Sequence, residues 1–312
     1  MPTKIILDVD TGTDDAVALM VAALSPDIEL VGATAVNGNT GVDETTENTL
    51  RVFDLIGRPD IPVFRGMAAP MLRPQGDRGM AAVIHRDLLD LPAARTPARP
   101  QHAVDWLVDT YLASEGDITL VAVGPLTNVA MALLKEPRMA ERIPEIVIMG
   151  GAHESGNRTA SAEYNFWVDP EAARIVVECG RPIRMVPLDA THRAPVSLED
   201  CARLRALGTV AATATAAIVE QRIHGYNATQ PMAGASSAPV HDALAVCAVI
   251  DPTVITTEFI PVDVEIGGEL SVGRTVCDFR FRSRKPANVR FAMDADEPKF
   301  NRMLRDILGR SA

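Results

Sequence analysis

The sequence predicts an α/β fold with a mostly parallel sheet and helices on both of its faces. Short apolar runs that favour strands alternate with longer runs that have helical spacing. Such alternation is typical of a parallel sheet that is covered on both sides. Toward the C-terminus several strand-like runs follow one another, so we expect some antiparallel strands there. The length of 312 residues, 47% of them hydrophobic, fits one large domain or two small ones.

The elements of the first two-thirds of the chain can be assigned in order. Each strand is a short run of β-prone apolar residues; the expected strands are KIILDVD (4–10), IELVGATAV (28–36), IPVF (61–64), DITLVAV (117–123), EIVIMG (145–150) and IRMVPL (183–188). Each helix has apolar residues at helical spacing; the expected helices are DAVALMVAALS (15–25), VDETTENTLRVFDLIG (42–57), AVDWLVDTYLAS (103–114), PLTNVAMALLK (125–135) and DPEAARIVVECG (169–180).

The last third of the chain has a different pattern. Strands are expected over TEFIPVDVEI (257–266), LSVGRTVCDFRF (270–281) and ANVRFAM (287–293), and a final helix over DEPKFNRMLRDILGR (296–310). The small and polar stretch GYNATQPMAGASSAP (225–239) allows two interpretations. It is either a plain linker between helices or a mobile lid over a site, because it leads directly into a His-Asp pair.

Charge and composition exclude several classes of protein. A net charge of -11 and a pI of about 5.0 argue against a nucleic-acid partner held by phosphate contacts. No apolar run reaches membrane-spanning length and the N-terminus lacks the pattern of a signal peptide, so we expect no membrane partner. The four cysteines form no C-x-x-C pair and are interpreted as core residues in a reducing compartment, the cytoplasm.

Four aspartates lie within eight residues where the first strand leads into the first helix. Asp8 and Asp10 belong to the strand, Gly12 allows a tight turn, and Asp14 and Asp15 begin the helix. Helix capping explains one or two of them. Alternation places Asp8 and Asp10 on one face of the strand, where their charges repel unless a cation compensates them. Ligands bind at the carboxyl ends of parallel strands; since every nearby candidate ligand is an oxygen, we expect Ca²⁺ or Mg²⁺ here.

Two further polar groups follow later in the chain. His241 and Asp242 stand at the head of an apolar helix, where Asp242 has the alternative role of a plain helix cap. The other group follows a strand that ends in Met-Gly-Gly, and its amide and carboxylate groups suit a polyhydroxylated ligand such as a sugar, unless it is only a solvated loop. Its members are Met149, Asn157, Glu163 and Asn165.

Taken together, these motifs resemble the inosine-uridine-preferring nucleoside hydrolase family. The family signature D-x-D-x-G-x-D-D-A is matched by DVDTGTDDA (8–16), and its G-P-L-T-N helix start by residues 124–128. Its M-G-G…G-N…A-E-[FY]-N…D-P-E-A-A stretch is matched over 149–173, and its late H-D pair at 241–242. The resemblance implies one nucleoside hydrolase domain over residues 1–312, with a Rossmann-like open sheet and a tightly bound Ca²⁺. It also implies a homodimer or homotetramer.

The resemblance implies a role for each candidate residue. Asp10 would be the general base, and His241 the acid for the leaving nucleobase. The implied calcium ligands are Asp10, Asp15, Asp242 and the backbone carbonyl of Val123. The residues implied to surround the ribonucleoside substrate are Asp14, Asn39, His85, Met149, Asn157, Glu163 and Asn165, with His85 beside the base. The family often has His-Gly where this chain has His85-Arg86, so the base pocket departs from the family pattern.

The implied reaction is hydrolysis of an N-ribosidic bond. Its transition state resembles a ribosyl oxocarbenium ion, which carboxylates stabilise, and chelation of two sugar hydroxyls by Ca²⁺ would favour ribonucleosides over deoxyribonucleosides. Two alternatives remain open. One is a nucleoside-binding protein on the same fold without turnover. The other is a haloacid-dehalogenase-like phosphohydrolase, a family that also begins with a strand and D-x-D but has Thr or Val where this chain has Gly12.

Overall fold

The computed structural model describes residues 1–74, 81–232 and 236–310. Counted over these residues, the central sheet has eight strands, and two pairs of short strands lie outside it. The strands are β1 (Thr3–Val9), β2 (Ile28–Ala35), β3 (Val63–Arg65), β4 (Ile118–Ala122), β5 (Ile146–Met149), β6 (Ile183–Val186), β7 (Pro195–Ser197), β8 (Ser237–Pro239), β9 (Ile255–Ile260), β10 (Val262–Val264), β11 (Thr275–Cys277) and β12 (Val289–Ala295).

Helices cover both faces of this sheet. The α-helices are α1 (Thr13–Leu24), α2 (Val42–Leu55), α3 (Ala81–Ile84), α4 (Ala103–Ala113), α5 (Thr127–Lys135), α6 (Tyr164–Val168), α7 (Pro170–Val177), α8 (Leu188–Thr191), α9 (Leu198–Arg205), α10 (Val210–Thr229), α11 (His241–Ile250) and α12 (Glu297–Leu308). Short 3₁₀-helices span Pro137–Arg142 and Pro252–Val254. Among the described helices, none combines the length and apolarity needed to cross a membrane.

The strand order positions a binding crevice. The strands run β3-β2-β1-β4-β5-β6-β12-β9 across the sheet. All neighbouring pairs from β3 to β12 are parallel, and only the pairing of β9 with β12 is antiparallel in the described sheet. The order therefore reverses between β1 and β4, where loops leave the sheet toward opposite faces and open a crevice at the carboxyl ends of the strands. The predicted fold class is confirmed.

The alternation of β1 divides the core into two layers. Ile5, Leu7 and Val9 pack into the apolar layer that contains α1 and α11, whereas Ile6 packs into the layer that contains α4 and α5. Helix α1 is buried from Thr13 to Ala23 because α10, α11 and α12 pack over it. A helix that is apolar around most of its circumference is stable in this position.

Two of the three expected C-terminal strands are too long. The run 257–266 divides into β9 and β10 at Pro261, which has no N–H to donate to a strand ladder. Of the run 270–281 only β11 is a strand, and it pairs with β10 in antiparallel fashion. The expectation of antiparallel strands is confirmed, and the third expected strand, 287–293, is observed as β12.

The stretch 225–239 is not a plain linker at either end. Residues 225–229 complete α10, and Ser237–Pro239 forms β8, which pairs with β7. The polar residues that suggested a loop lie largely on the exposed side of a long helix: Asn227 is exposed, whereas Tyr226 is buried. Residues 233–235, the middle of the predicted lid, lie outside the described residues.

Candidate active site

A pocket opens at the switch point of the sheet. Its volume is about 570 Å³ including the open mouth, within the usual range of small-molecule sites. All predicted site residues except Asp15 line it, namely Asp10, Asp14, Asn39, His85, Val123, Met149, Asn157, Glu163, Asn165, His241 and Asp242. The lining also contains residues that the sequence analysis did not predict, namely Ile84, Arg158, Tyr164, Arg222, Tyr226 and Gln230.

Backbone donors and an asparagine hold the carboxylates at the end of β1. Asp15 accepts the backbone N–H groups of Asp10 and Gly12 at 3.1 and 2.9 Å. Asn39 donates its backbone N–H to Asp10 at 2.7 Å and its side-chain amide to Asp15 at 3.1 Å. Capping therefore explains part of the role of Asp15, as the alternative interpretation held. It does not explain Asp10, whose buried side chain lines the pocket.

Asp15 also belongs to a group of three carboxylates that come from α1 and α11. One oxygen each of Asp14, Asp15 and Asp242 lie within 4.8 Å of one another, and all three residues are buried. Burial, and then the charge of Asp14, raises the pKa of Asp15 to about 6. Burial, and then the charges of the neighbouring aspartates, raises the pKa of Asp242 well above its ordinary value. A cluster of repelling oxygen ligands fits a hard divalent cation, which would compensate the charge.

The cluster differs in one member from the predicted ligand set. Asp14, expected beside the ribose, joins Asp15 and Asp242 in it, whereas Asp10 does not. Burial, and then the charge of Asp15, nevertheless raises the pKa of Asp10 well above its ordinary value, which shows how close this carboxylate lies to the others. The carbonyl of Val123 accepts a hydrogen bond from the side chain of Asn165 at 2.8 Å. Capping by Asp242 is not observed, since Val240 holds the N-cap position of α11.

Asp8 does not share the site of Asp10, contrary to the same-face argument. It is fully buried, and its Oδ1 accepts hydrogen bonds from Thr34 and, at 2.8 Å, from Asn128 of the G-P-L-T-N motif. Burial raises the pKa of Asp8 to about 7 despite these donors. The charge of Asp8 is thus limited by hydrogen bonds and proton uptake, with no need for a cation. Asn128 also accepts the backbone N–H of Met67, so this motif ties the core strands together.

The sugar-facing wall is built on the loop after β5. Glu163 caps α6 and accepts the backbone N–H groups of Gly151, Asn165 and Phe166. Gly151 has a φ of +78°, a conformation that side chains disfavour, so glycine is required where this N–H turns toward the carboxylate. Asn165 also donates to the carbonyl of Met149 at 3.2 Å. These buried contacts contradict a purely solvated loop.

Asn157 and Tyr164 close the outer edge of this wall. Asn157 is half-buried and accepts the backbone N–H of Tyr164 at 2.9 Å. The hydroxyl of Tyr164 donates to the carbonyl of Gly38 at 2.7 Å. This bond joins the loop after β2 to the loop after β5, so the residues expected around the sugar form one continuous surface.

His241 also lines the pocket and has hydrogen-bond partners at both ring nitrogens. Its Nδ1 lies 2.7 Å from the hydroxyl of Thr191, and its Nε2 lies 2.6 Å from the hydroxyl of Tyr226. Burial, and then the charge of Arg222, lowers the pKa of His241 well below its ordinary value. His241 is thus neutral and shares the pocket with Tyr226.

His85 lines the pocket beside the start of α1. Its Nδ1 accepts the backbone N–H of Thr13, in the first turn of α1, at 3.2 Å. Its Nε2 lies 3.4 Å from Nη1 of Arg222, which can only donate. A Cβ atom at Gly12 would lie 2.0 Å from His85 Nδ1, so glycine is required for this approach. Both histidines that were predicted for the base side therefore line the pocket.

The sequence analysis missed Arg222 and Tyr226, which line the pocket next to His85 and His241. Both lie on α10 within the run AAIVEQRIHGYNAT (216–229), four residues apart. A spacing of four places two residues on one face of a helix, so a helical assignment of this run would have paired them. The interpretation of 225–239 as linker or lid concealed that signal.

The sequence model of the inosine-uridine preferring nucleoside hydrolase family matches residues 5–302. The chain belongs to this family. It is 39% identical over 318 residues to the inosine-uridine preferring nucleoside hydrolase of Leishmania major, a match that covers 99% of this chain and 98% of the relative. It is also 39% identical over 304 residues to the pyrimidine-specific ribonucleoside hydrolase RihB of Escherichia coli O157:H7, covering 95% and 94% of the two chains.

Solved structures support the same assignment. The purine-preferring ribonucleoside hydrolase from Gardnerella vaginalis superimposes with a TM-score of 0.91 at 32% identity and 98% coverage of both chains. A plant nucleoside hydrolase superimposes with a TM-score of 0.90 at 27% identity and 99% coverage of both chains. Members of this nucleoside hydrolase family are N-glycosyl hydrolases, so the chain is an enzyme of this type, and the haloacid-dehalogenase-like alternative is wrong.

Proposed function

We propose that this nucleoside hydrolase uses Ca²⁺ to hydrolyse ribonucleosides to ribose and free base. The observation that carries the proposal is a single pocket in which buried carboxylates face a wall of histidines and a tyrosine. Carboxylates suit the ribosyl cation that forms as the bond breaks, and N–H and O–H donors suit the departing base. The two halves of the reaction thus have separate groups within one pocket.

The carboxylate cluster is the proposed cation site. Asp10, Asp15, Asp242 and the carbonyl of Val123 are the proposed ligands, and Asp14 is close enough to contribute. When bound, Ca²⁺ would supply positive charge that orders two sugar hydroxyls and favours ionisation of a water molecule. All candidate ligands are oxygens, which supports Ca²⁺ over softer metals.

Asp10 is the proposed general base. As the water oxygen attacks the anomeric carbon, Asp10 takes the proton that the water loses, and the bond electrons move to the nucleobase nitrogen. A buried carboxylate whose pKa is raised holds a proton more readily than an exposed one, which supports this role. Asn39 holds the carboxylate by its backbone N–H and so orients it toward the pocket.

Glu163, Asn157, Asn165, Asn39 and Asp14 are the proposed ribose contacts. Their polar groups lie around the part of the pocket nearest the carboxylate cluster. The hydrogen bonds that Glu163 receives from backbone N–H groups hold it in one rotamer before substrate arrives. Such preorganisation fixes the sugar with its anomeric carbon toward Asp10.

His241, acting through Tyr226, and His85 are the proposed donors to the departing base. His85 and the hydroxyl of Tyr226 line the same pocket as the carboxylates. Hydrogen bonds from these groups reduce the negative charge that builds on the base as it leaves. The relatives include inosine-uridine preferring, purine-preferring and pyrimidine-specific enzymes. We propose that this enzyme accepts inosine and at least one pyrimidine ribonucleoside.

A substrate panel tests this proposal. Inosine, adenosine, guanosine, uridine and cytidine, together with the 2′-deoxy forms of inosine and uridine, are incubated with the purified enzyme, and free base is quantified chromatographically. We expect base release from ribonucleosides, loss of release with chelator, and at least a hundredfold preference for ribo- over deoxyribonucleosides. Binding without base release would instead support a nucleoside-binding protein without turnover.

We further propose that the enzyme is a cytoplasmic homodimer or homotetramer, as the family resemblance implies. Sedimentation velocity on the purified protein tests the assembly. The expected mass is two or four times the 33.4 kDa of one chain. A monomer over the micromolar range would contradict the proposed assembly and leave the proposed reaction unaffected.

A further inference from the structure

Arg222 places a fixed positive charge in the wall of the active site. Its side chain is 1% exposed, and a guanidinium stays protonated in proteins. Taking such a charge out of water is unfavourable unless hydrogen bonds and opposite charge compensate it. The partners of Arg222 therefore indicate what the buried charge does.

Every nitrogen of this guanidinium has a protein partner. Nε donates to the carbonyl of Pro239 at 2.6 Å, and Nη1 donates to Thr13 and Asp14 at 2.8 and 2.9 Å. Nη2 lies 2.9 Å from the second oxygen of Asp14 and donates to the hydroxyl of Tyr226 at 3.5 Å. The guanidinium of Arg222 thus connects the start of α1, the end of β8 just before α11, and Tyr226.

Arg222, Tyr226 and His241 form what we call the leaving-group wall. The contact between Arg222 and Tyr226 has a defined direction of hydrogen bonding. Arg222 can only donate, so the hydroxyl of Tyr226 accepts from it and keeps its own proton for another partner. In the free enzyme Nε2 of His241 lies 2.6 Å from this hydroxyl. Burial raises the pKa of Tyr226 to about 12, so the hydroxyl remains protonated and able to donate. A nucleobase that gains negative charge beside it is a stronger acceptor than a neutral imidazole.

We infer that Arg222 is a positioning residue for departure of the nucleobase, because it anchors the oxygen of Tyr226 while the hydroxyl donates a hydrogen bond to the base. The same guanidinium holds Asp14 on the ribose side by both carboxylate oxygens. Arg222 therefore has two effects, one on the base through Tyr226 and one on the sugar through Asp14. The inference rests on the proposed function and adds a residue to it.

The two effects are separable with two substrates. A nucleobase needs a donor to leave, whereas the nitrophenolate of 4-nitrophenyl riboside leaves without help. Loss of the Tyr226 contact should lower kcat for inosine alone. Loss of the Asp14 contact should raise KM for both substrates, since both contain the same ribose.

The test is a double-mutant cycle of Arg222→Gln and Tyr226→Phe, assayed with inosine and 4-nitrophenyl riboside. We expect Arg222→Gln to lower kcat for inosine about a hundredfold in the wild-type background and less than about threefold in the Tyr226→Phe background. With 4-nitrophenyl riboside, kcat should change less than about fivefold in either background. Arg222→Lys should restore KM through its charge beside Asp14, while kcat for inosine stays low because Lys lacks the fork.

Controls separate positioning from general stability. Arg203→Gln removes an exposed arginine that pairs with Glu199 and Asp200 on α9 and does not line the pocket, and it should leave both substrates unchanged. Thermal unfolding of each variant shows whether the fold persists. Independent effects of the two substitutions on inosine, or equal losses of kcat with both substrates, would overturn the inference. A wild-type enzyme that hydrolyses neither substrate would instead overturn the proposed function, and the inference with it.

Discussion

The two walls of the pocket differ in how the chain builds them. The carboxylate wall comes from the turn after β1 and the first turns of α1 and α11: Asp10, Asp14 and Asp15 lie within six consecutive residues, and Asp242 is the second residue of α11. The leaving-group wall comes from helices, with Arg222 and Tyr226 on α10 and His241 at the start of α11. The first wall is acidic, whereas the second combines a buried cation with neutral donors.

This difference separates the expected effects of substitution. Under the proposed function, groups on the carboxylate wall bind the sugar, which all nucleoside substrates share, so their loss should affect every substrate. Groups on the helical wall are proposed to contact the base, so their loss should depend on the leaving group. The predictions below test that division, beginning with the largest expected effect.

Removal of the cation should abolish hydrolysis of both inosine and 4-nitrophenyl riboside. The cluster of Asp14, Asp15 and Asp242 lies on the sugar-facing side, and without a cation its charges repel. Elemental analysis of freshly purified enzyme should find about one calcium per chain, and added CaCl₂ should restore the activity of the chelated enzyme. Zinc as the bound metal, or full activity of metal-free enzyme, would disprove the proposed cofactor.

Asp10→Asn should lower kcat roughly 10⁴-fold for both substrates, near the upper end for a general base, because an amide cannot take the proton of water. Asp117→Asn is the matched control, since exposed Asp117 pairs with Lys4 at the start of β1 and does not line the pocket. Its activity should stay within twofold of wild type. Steady-state kinetics on both variants test this prediction. A kcat of Asp10→Asn within tenfold of wild type would show that Asp10 is not the general base.

His241→Ala should lower kcat for inosine and uridine a hundred- to thousandfold and for 4-nitrophenyl riboside only a few-fold. The reason is that His241 supports the hydroxyl of Tyr226, which faces the base. His224→Ala, an exposed change on α10, is the control and should have no effect. Equal losses with both substrates would show that His241 positions the sugar or Asp242 instead, and an unchanged profile would show that it has no part in the reaction.

The smallest effect concerns stability and Glu163. Burial raises the pKa of Glu163 from 4.5 to about 7, so the folded state binds this proton more tightly than the unfolded state. Its contribution to the free energy of unfolding is therefore greatest below pH 4.5 and declines as the pH rises through 7, by up to about 3 kcal/mol. Urea unfolding of metal-free wild type and Glu163→Gln from pH 4 to 8 measures this. If the free energy of unfolding changed with pH in the same way for both proteins, Glu163 would be excluded as a cause of the pH dependence.

Much of the fold was predictable because its signals are local. Strand and helix runs up to β6 were assigned from periodicity, and each is observed within a few residues of its expected bounds. The failures occurred where local signals mislead. Pro261 divides an apolar run into two strands, and residues 225–229 have a loop-like composition but continue a helix that buries Tyr226.

The carboxylate wall was predictable for the same reason. A strand that ends in an acidic motif at the switch point of a parallel sheet must place those carboxylates in the crevice. Asp8 is the exception, because its environment depends on Thr34 and Asn128 from neighbouring strands and helices. Alternation shows which face a residue occupies but does not show what packs against that face.

The sequence by itself determined the parallel sheet and the acidic end of the first strand, because these follow from periodicity and from the order of residues, whereas the strand order and its switch point came from the tertiary structure. Only the tertiary structure decided that Asp14 pairs with Arg222, 208 positions away, and that His241 faces Tyr226. It also decided the partners of the two histidines, since His85 contacts Thr13 and His241 contacts Thr191, each from a distant segment. Such contacts are a property of assembled neighbours, and no run of residues encodes them locally.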